Sequence, residues 1–216
     1  MAWSSQGVSS SPTITADTVY VGSSDATVYA LSRTDGSERW RYRTGAGVFS
    51  SPTVVDDTLV VGSLDGAVYA LDTANGEVRW THETNGEVWA TPAVADGVVF
   101  VGSRDRQLYA LAVDSGTKQW DRTTGGPIDS PPAIRGDTVY VGSLDGSVYA
   151  FTLDGRQRWT AETDGKFASS PAVTTDSVYI GNRNGKVYAF TADDGTRRWT
   201  VETGGRGWSN PRPSGR

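Results

Sequence analysis

Tryptophan recurs at positions 40, 80, 120, 159 and 199. A Val-Gly or Ile-Gly step recurs with glycine at 22, 62, 102, 142 and 181, and Tyr-Ala begins at Tyr29, Tyr69, Tyr109, Tyr149 and Tyr188. Proline keeps the same beat at 12, 52, 92, 132, 171 and 211. The period is 40 residues, with one unit a residue short. Such self-similarity restricts the fold to an array in which each unit buries an apolar face against its neighbour.

Each unit reads as four short strands. In the second unit, Val48 to Val55 reads as a first strand with small residues at Ser50 and Ser51. Asp56-Asp57 turns into an apolar second strand, Thr58 to Ser63. Leu64-Asp65-Gly66 is a tight turn, because Asp-Gly tolerates the positive φ of a hairpin. Ala67 to Asp72 is a third strand rich in β-formers, Asn75-Gly76 is a further turn, and Glu77 to Thr84 alternates as a half-exposed edge strand. No segment sustains a 3.6-residue period, so essentially no helix is expected. Four-stranded units of this length predict an all-β propeller. The predicted blades span 8–46, 47–86, 87–126, 127–165 and 166–205, and 206–216 reads as the start of a sixth repeat or a tail. In that last stretch Pro213 stands where Val54 stands in the second unit, and proline cannot donate to a central ladder. The ring either closes with five blades or is part of a larger propeller. The two ends offer redundant innermost strands, which favours the larger propeller.

The segment Ala70-Leu71-Asp72-Thr73-Ala74-Asn75-Gly76-Glu77-Val78-Arg79-Trp80 resembles the tryptophan-docking motif of the pyrroloquinoline quinone (PQQ)-like repeat family. Ala30 to Trp40, Ala110 to Trp120 and Ala189 to Trp199 have the same length, and Ala150 to Trp159 is one shorter. The family's aspartate is kept only at Asp72; Ser32, Ala112, Thr152 and Thr191 replace it. The blade signature is not that of WD40 repeats. The resemblance implies that Trp40, Trp80, Trp120, Trp159 and Trp199 dock between successive blades. The family's PQQ-binding alcohol dehydrogenases are longer, typically eight-bladed, and hold PQQ with calcium, a base aspartate and often a cysteine disulfide. No residue here maps onto those calcium ligands or that base. Other members are non-catalytic, among them an outer-membrane assembly lipoprotein.

Composition narrows the function. The chain has no cysteine, which excludes disulfides, thiolate metal sites and cysteine nucleophiles. A single histidine, His82, argues against a His-rich metal site or a serine–histidine triad. His82 lies on an edge strand beside Glu83 and is expected to face solvent. Net charge is -5 and no Lys/Arg run exceeds two residues, so nucleic acid is not an expected partner. No apolar run approaches the roughly 18 residues of a membrane helix, and no signal peptide is evident in the chain as given. Asp-rich, Lys-poor surfaces suit high salt, where repulsion is screened; GC-rich codon usage gives the same bias.

In a meander the fourth-to-first links and the second-to-third hairpins share one end of the sheet. There the scaffold holds constant while individual residues change in size and charge, as on a ligand- or partner-facing rim. The candidate binding residues are Phe49, Glu87, Trp89, Arg104, Asp129, Lys166 and Arg183. Solvated loop positions vary in the same way, and Asp65, Asp105 and Asp145 read as turn formers. Glu87 and Asp129 lie one unit apart, but a glycosidase pair also needs a suitable separation and a raised pKa. The first reading is a non-catalytic scaffold for a protein or small polar ligand, with no cofactor and no catalytic or metal residues. The alternatives are a PQQ- and calcium-dependent oxidoreductase and a carbohydrate-binding propeller resting on the rim aromatics. Further blades from a longer parent chain are an expected partner.

Overall fold

The computed structural model describes residues 7, 8 and 10–204. These form five antiparallel four-stranded sheets, each a meander in chain order. The first holds β1 (Thr13–Ile14), β2 (Thr18–Ser23), β3 (Thr27–Ser32) and β4 (Glu38–Arg43). The second holds β5 (Thr53–Val55), β6 (Thr58–Gly62), β7 (Ala67–Asp72) and β8 (Val78–Glu83). The third holds β9 (Ala93–Ala95), β10 (Val98–Gly102), β11 (Gln107–Ala112) and β12 (Lys118–Thr123). The fourth holds β13 (Ala133–Arg135), β14 (Thr138–Gly142), β15 (Ser147–Thr152) and β16 (Gln157–Glu162). The fifth holds β17 (Ala172–Val173), β18 (Ser177–Gly181), β19 (Lys186–Thr191) and β20 (Arg197–Glu202). No helix occurs among the described residues, and the sheets do not close into a ring. The predicted sixth repeat lies outside the described residues.

In the three inner blades the second strand is covered on both faces by neighbouring blades. That explains why β6, β10 and β14 are apolar runs buried at every position. Glycine ends these runs because the next blade approaches there. A Cβ on Gly62 would lie 2.3 Å from Val88 Cγ1 and 3.0 Å from the Val88 carbonyl oxygen. Gly22, Gly102 and Gly142 face Val48, Ile128 and Phe167 in the same way. The outer strands β4, β8 and β16 bury only their tryptophan. A register shift in the third-to-fourth pairing, between Ala70 and Leu71 in the second blade, sits opposite that tryptophan and re-aims it.

The innermost strand is shorter than the predicted Val48 to Val55, running only from Thr53. Upstream of it Ser50 Oγ accepts the Gly62 N–H at 3.2 Å. A side chain there replaces the ladder, and Pro52 has no N–H to give. The Leu64-Asp65-Gly66 turn is a three-residue loop: Ser63 N–H donates to the Ala67 carbonyl at 3.0 Å, and Gly66 takes φ +93°. The two-residue loop is instead Asp56-Asp57, with Asp56 at φ +50°.

Candidate binding site

Four of the five repeat tryptophans make the same junction. The indole N–H groups of Trp40, Trp80, Trp120 and Trp159 donate to the carbonyls of Thr73, Val113, Leu153 and Ala192 at 2.7–3.0 Å. Every acceptor lies in the following blade. Each ring also rests against a left-handed glycine of that blade: Gly76, Gly116, Gly155 and Gly195. A side chain at any of the four would enter the indole, at 2.5–2.7 Å. Trp199 differs from the expectation. It is 44% exposed, because no described blade follows β20 to supply a carbonyl and a glycine.

Six of the seven rim candidates meet at the end of the strands that carries the second-to-third hairpins. Arg104, on the hairpin after β10, is the hub. Its Nε and Nη2 donate to Asp129 Oδ1 and Oδ2 at 2.8 and 3.1 Å, and its Nη1 donates to Glu87 Oε2 at 2.8 Å. The same Glu87 oxygen accepts the Trp89 indole N–H at 2.6 Å. The guanidinium lies 4.4 Å from the centroid of the Trp89 ring, whose neighbour is Phe49 at 4.8 Å. Arg183 approaches Asp129 Oδ2 at 3.4 Å. The cluster therefore draws on blades two, three, four and five. Asp129 is its buried anchor, with a side chain only 7% exposed. The Asp129 hydrogen bond, against the opposing effect of burial, holds the Arg104 pKa above its usual value, so the hub stays charged. The seventh candidate, Lys166, is exposed and stands outside this network; its main-chain carbonyl accepts the Arg183 N–H at 2.9 Å.

A model of the family described as outer membrane protein assembly factor BamB matches residues 1–87, 43–128 and 114–210. The chain belongs to this PQQ-like repeat family. Solved structures with the same fold include BamB from Moraxella catarrhalis, at TM-score 0.79 and 21% identity, covering 87% of this chain and 61% of that one. They also include the computationally designed protein Ika8, at TM-score 0.79 and 16% identity, covering 89% and 61%. A third is the quinohemoprotein alcohol dehydrogenase of Comamonas testosteroni, at TM-score 0.80 and 17% identity, covering 91% and 43%. The chain thus spans about three fifths of the length of BamB. No curated protein matches it.

Within this PQQ-like frame, Asp65, Asp105 and Asp145 each accept the N–H two residues on through Oδ1. Each also accepts the hydroxyl of the tyrosine four residues on. Two of them further accept a main-chain N–H of the preceding blade, from Gly45 at 2.7 Å and from Asn85 at 3.0 Å. That link between blades has no signature beyond the turn itself, so the sequence reveals only half of the aspartate's work. His82, expected in solvent, is half-buried and edge-on to Tyr109 of the next blade at 5.4 Å. An outer strand is an edge within its own sheet, yet one of its faces still lies against a neighbour. A polar groove of about 360 Å³, lined by Thr15, Asp17, Tyr20, Arg39 and Thr73, opens at the other end of the strands, away from the cluster.

Proposed function

We propose that this chain is a non-catalytic binding scaffold that recruits a partner through the cluster around Arg104. The observation that carries the reading is the assembly of Phe49, Glu87, Trp89, Arg104, Asp129 and Arg183, from four blades, into one charged and aromatic surface. Counting Lys166, the rim holds three cations against two carboxylates, on a chain whose net charge is -5. A locally positive rim on an acidic body suits a carboxylate-bearing partner, a protein segment or a small polar anion. The Phe49–Trp89 pair, its rings tilted by 33°, adds apolar area of the kind that dominates recognition hot spots. Membership of a family described by an assembly factor fits a protein partner.

The residues do not suit the PQQ and calcium of the oxidoreductase alternative. Calcium takes about six to eight oxygen ligands. Here Glu87 and Asp129 both direct their oxygens to Arg104. Among the described residues no three Asp, Glu or His side chains gather into a metal-binding group. The carbohydrate alternative rests on Phe49 and Trp89, but Trp89 already carries Arg104 on its ring, so it does not offer a bare platform to a sugar.

The test compares partner capture by the wild-type chain, an Arg183→Glu/Lys166→Glu rim variant and an Arg79→Glu variant on the far edge. Loss of a carboxylate-bearing partner only with the rim variant supports the reading. Equal capture by all three removes the rim from recognition.

A further inference from the structure

The chain holds three Asn-Gly steps, Asn75-Gly76, Asn85-Gly86 and Asn184-Gly185. In such a step the glycine nitrogen can attack the asparagine side chain, because glycine has no side chain to shield it. The attack needs a free asparagine side chain and a free glycine N–H. Two of the three steps have neither. The Gly76 N–H donates to the Asp72 carbonyl at 2.9 Å, and Asn75 Oδ1 accepts the Glu77 N–H at 2.9 Å. The Gly185 N–H donates to the Asn182 carbonyl at 3.3 Å, and Asn184 Nδ2 donates to the Asp164 carbonyl at 2.9 Å. Asn85 is exposed, and its side chain makes no hydrogen bond among the described residues. The Gly86 N–H reaches only Thr84 Oγ1, at a long 3.5 Å.

Position 85 is also one where a carboxylate matters. Its counterpart two links on is Asp164, opposite Asn184 on the hairpin of the fifth blade. The Asp164 carboxylate accepts Lys186 Nζ at 2.6 Å and the Tyr188 hydroxyl. At the junction of the second and third blades the two residue types are exchanged. The link carries Asn85 and the hairpin carries Asp105, whose Oδ2 accepts the Asn85 N–H at 3.0 Å and the Tyr109 hydroxyl at 2.6 Å. Gln107 stands in the place of Lys186. This pair of positions therefore holds a single carboxylate at either junction, and only the later junction supplies a cation to a carboxylate on the link.

We propose that Asn85-Gly86 is a deamidation site whose product acts as a charge switch on the rim. The Gly86 nitrogen bonds to Asn85 Cγ, and the side-chain nitrogen leaves as ammonia. Water then opens the cyclic imide at either carbonyl, giving aspartate or isoaspartate at position 85. Either product sets a second carboxylate beside Asp105 with no lysine to receive it, and like charges repel. Isoaspartate also lengthens the main chain by a methylene, just before a glycine packed on the hairpin: a Cβ on Gly86 would lie 2.5 Å from the Asp105 nitrogen. The same link and hairpin carry Glu87 and Arg104, and the Arg104 main-chain N–H donates to the Glu87 carbonyl at 2.9 Å. Deamidation loosens that tie and adds a negative charge next to the cluster. Its effect on a partner rests on the reading of the rim as a binding surface; the modification itself does not.

The test incubates the purified chain at mildly alkaline pH, folded and in urea, and follows the three Asn-Gly peptides by mass spectrometry. In the folded chain the Asn85 peptide should convert several-fold faster than the other two, and in urea the three rates should converge. Folded-state rates that are equal, or fastest at another site, overturn the site. Asn85→Asp, which installs the aspartate product directly, should lower the melting temperature by about 2–4 °C and speed hydrogen exchange at the Arg104 main-chain N–H. Asn85→Asp/Gln107→Lys rebuilds the Asp164–Lys186 pairing and should restore both. No change in Asn85→Asp, or a loss that the lysine does not recover, overturns the switch. Neither measurement uses a partner, so both remain decisive even if the rim recruits none.

Discussion

Gly76 and Gly36 hold the same left-handed conformation, at φ +75° and +73°, yet among the described residues an indole lies only on Gly76 of the two. The pair separates two effects that a glycine scan would mix. Gly36→Ala meets only the cost of a left-handed alanine, about 1 kcal/mol. Gly76→Ala meets that cost plus a Cβ driven to 2.6 Å from the Trp40 ring, which adds about 1–3 kcal/mol. Urea unfolding should resolve the difference, and equal losses would remove the glycine from the junction. Trp80→Ala should cost about 3–5 kcal/mol in the same assay, as loss of a buried large aromatic does. At His82 burial, with Lys118 second, holds the pKa below its usual value. The folded chain therefore favours the neutral ring. That contribution is present above an unfolded pKa of about 6.5 and is lost as pH falls through it. Stability should drop as pH falls below about 6.5, and His82→Gln should flatten that limb.

The strands themselves were largely legible, because alternation, Asp-Gly turns and the tryptophan period are local signals. What escaped is side-chain substitution for backbone pairing. Ser50 looks like a strand residue, but its Oγ accepts the Gly62 N–H in place of a ladder carbonyl, so β5 starts at Thr53. The edge ion pairs were legible only in hindsight. Arg39, Arg79, Arg158 and Arg198, each one residue before a tryptophan, bind Asp17, Asp57, Asp137 and Asp176 of the first turn at 2.5–3.1 Å. In the third blade both positions change together, to Gln119 and Gly97. These exposed pairs contribute little each. They do hold the Asp17 and Asp57 carboxyls below their usual pKa, mainly through Arg39 and Arg79. Hydrogen bonds from Ser32 and Ser37 bring Asp35 down to about 2. Depressed carboxylates stabilise the fold above the unfolded pKa of about 4 and lose that effect as pH falls below it. A second, acid limb of destabilisation is expected between about pH 4 and pH 2. Arg79→Ala should shrink it, and an unchanged limb would detach it from the edge pairs.

At the scale of the molecule the period announced five blades, and the tryptophan geometry extends that period into space. The rim residues vary between repeats while the scaffold stays fixed. That comparison names residues but not their pairings. Nothing in one repeat says that Arg104 binds Asp129 of the next blade and Glu87 of its own link, because such contacts join segments 25 and 17 residues apart. Trp199 was misjudged for a complementary reason: a repeat motif predicts docking at every copy, whereas docking needs a following blade. We propose that this PQQ-like chain binds a partner at the rim around Arg104 and takes no PQQ there. The most direct measurement is calorimetric titration of the purified chain with PQQ, with and without calcium. The account predicts no binding heat in either case. Calcium-dependent, one-to-one binding would contradict it, and would mean that Glu87 and Asp129 leave Arg104 to hold a metal.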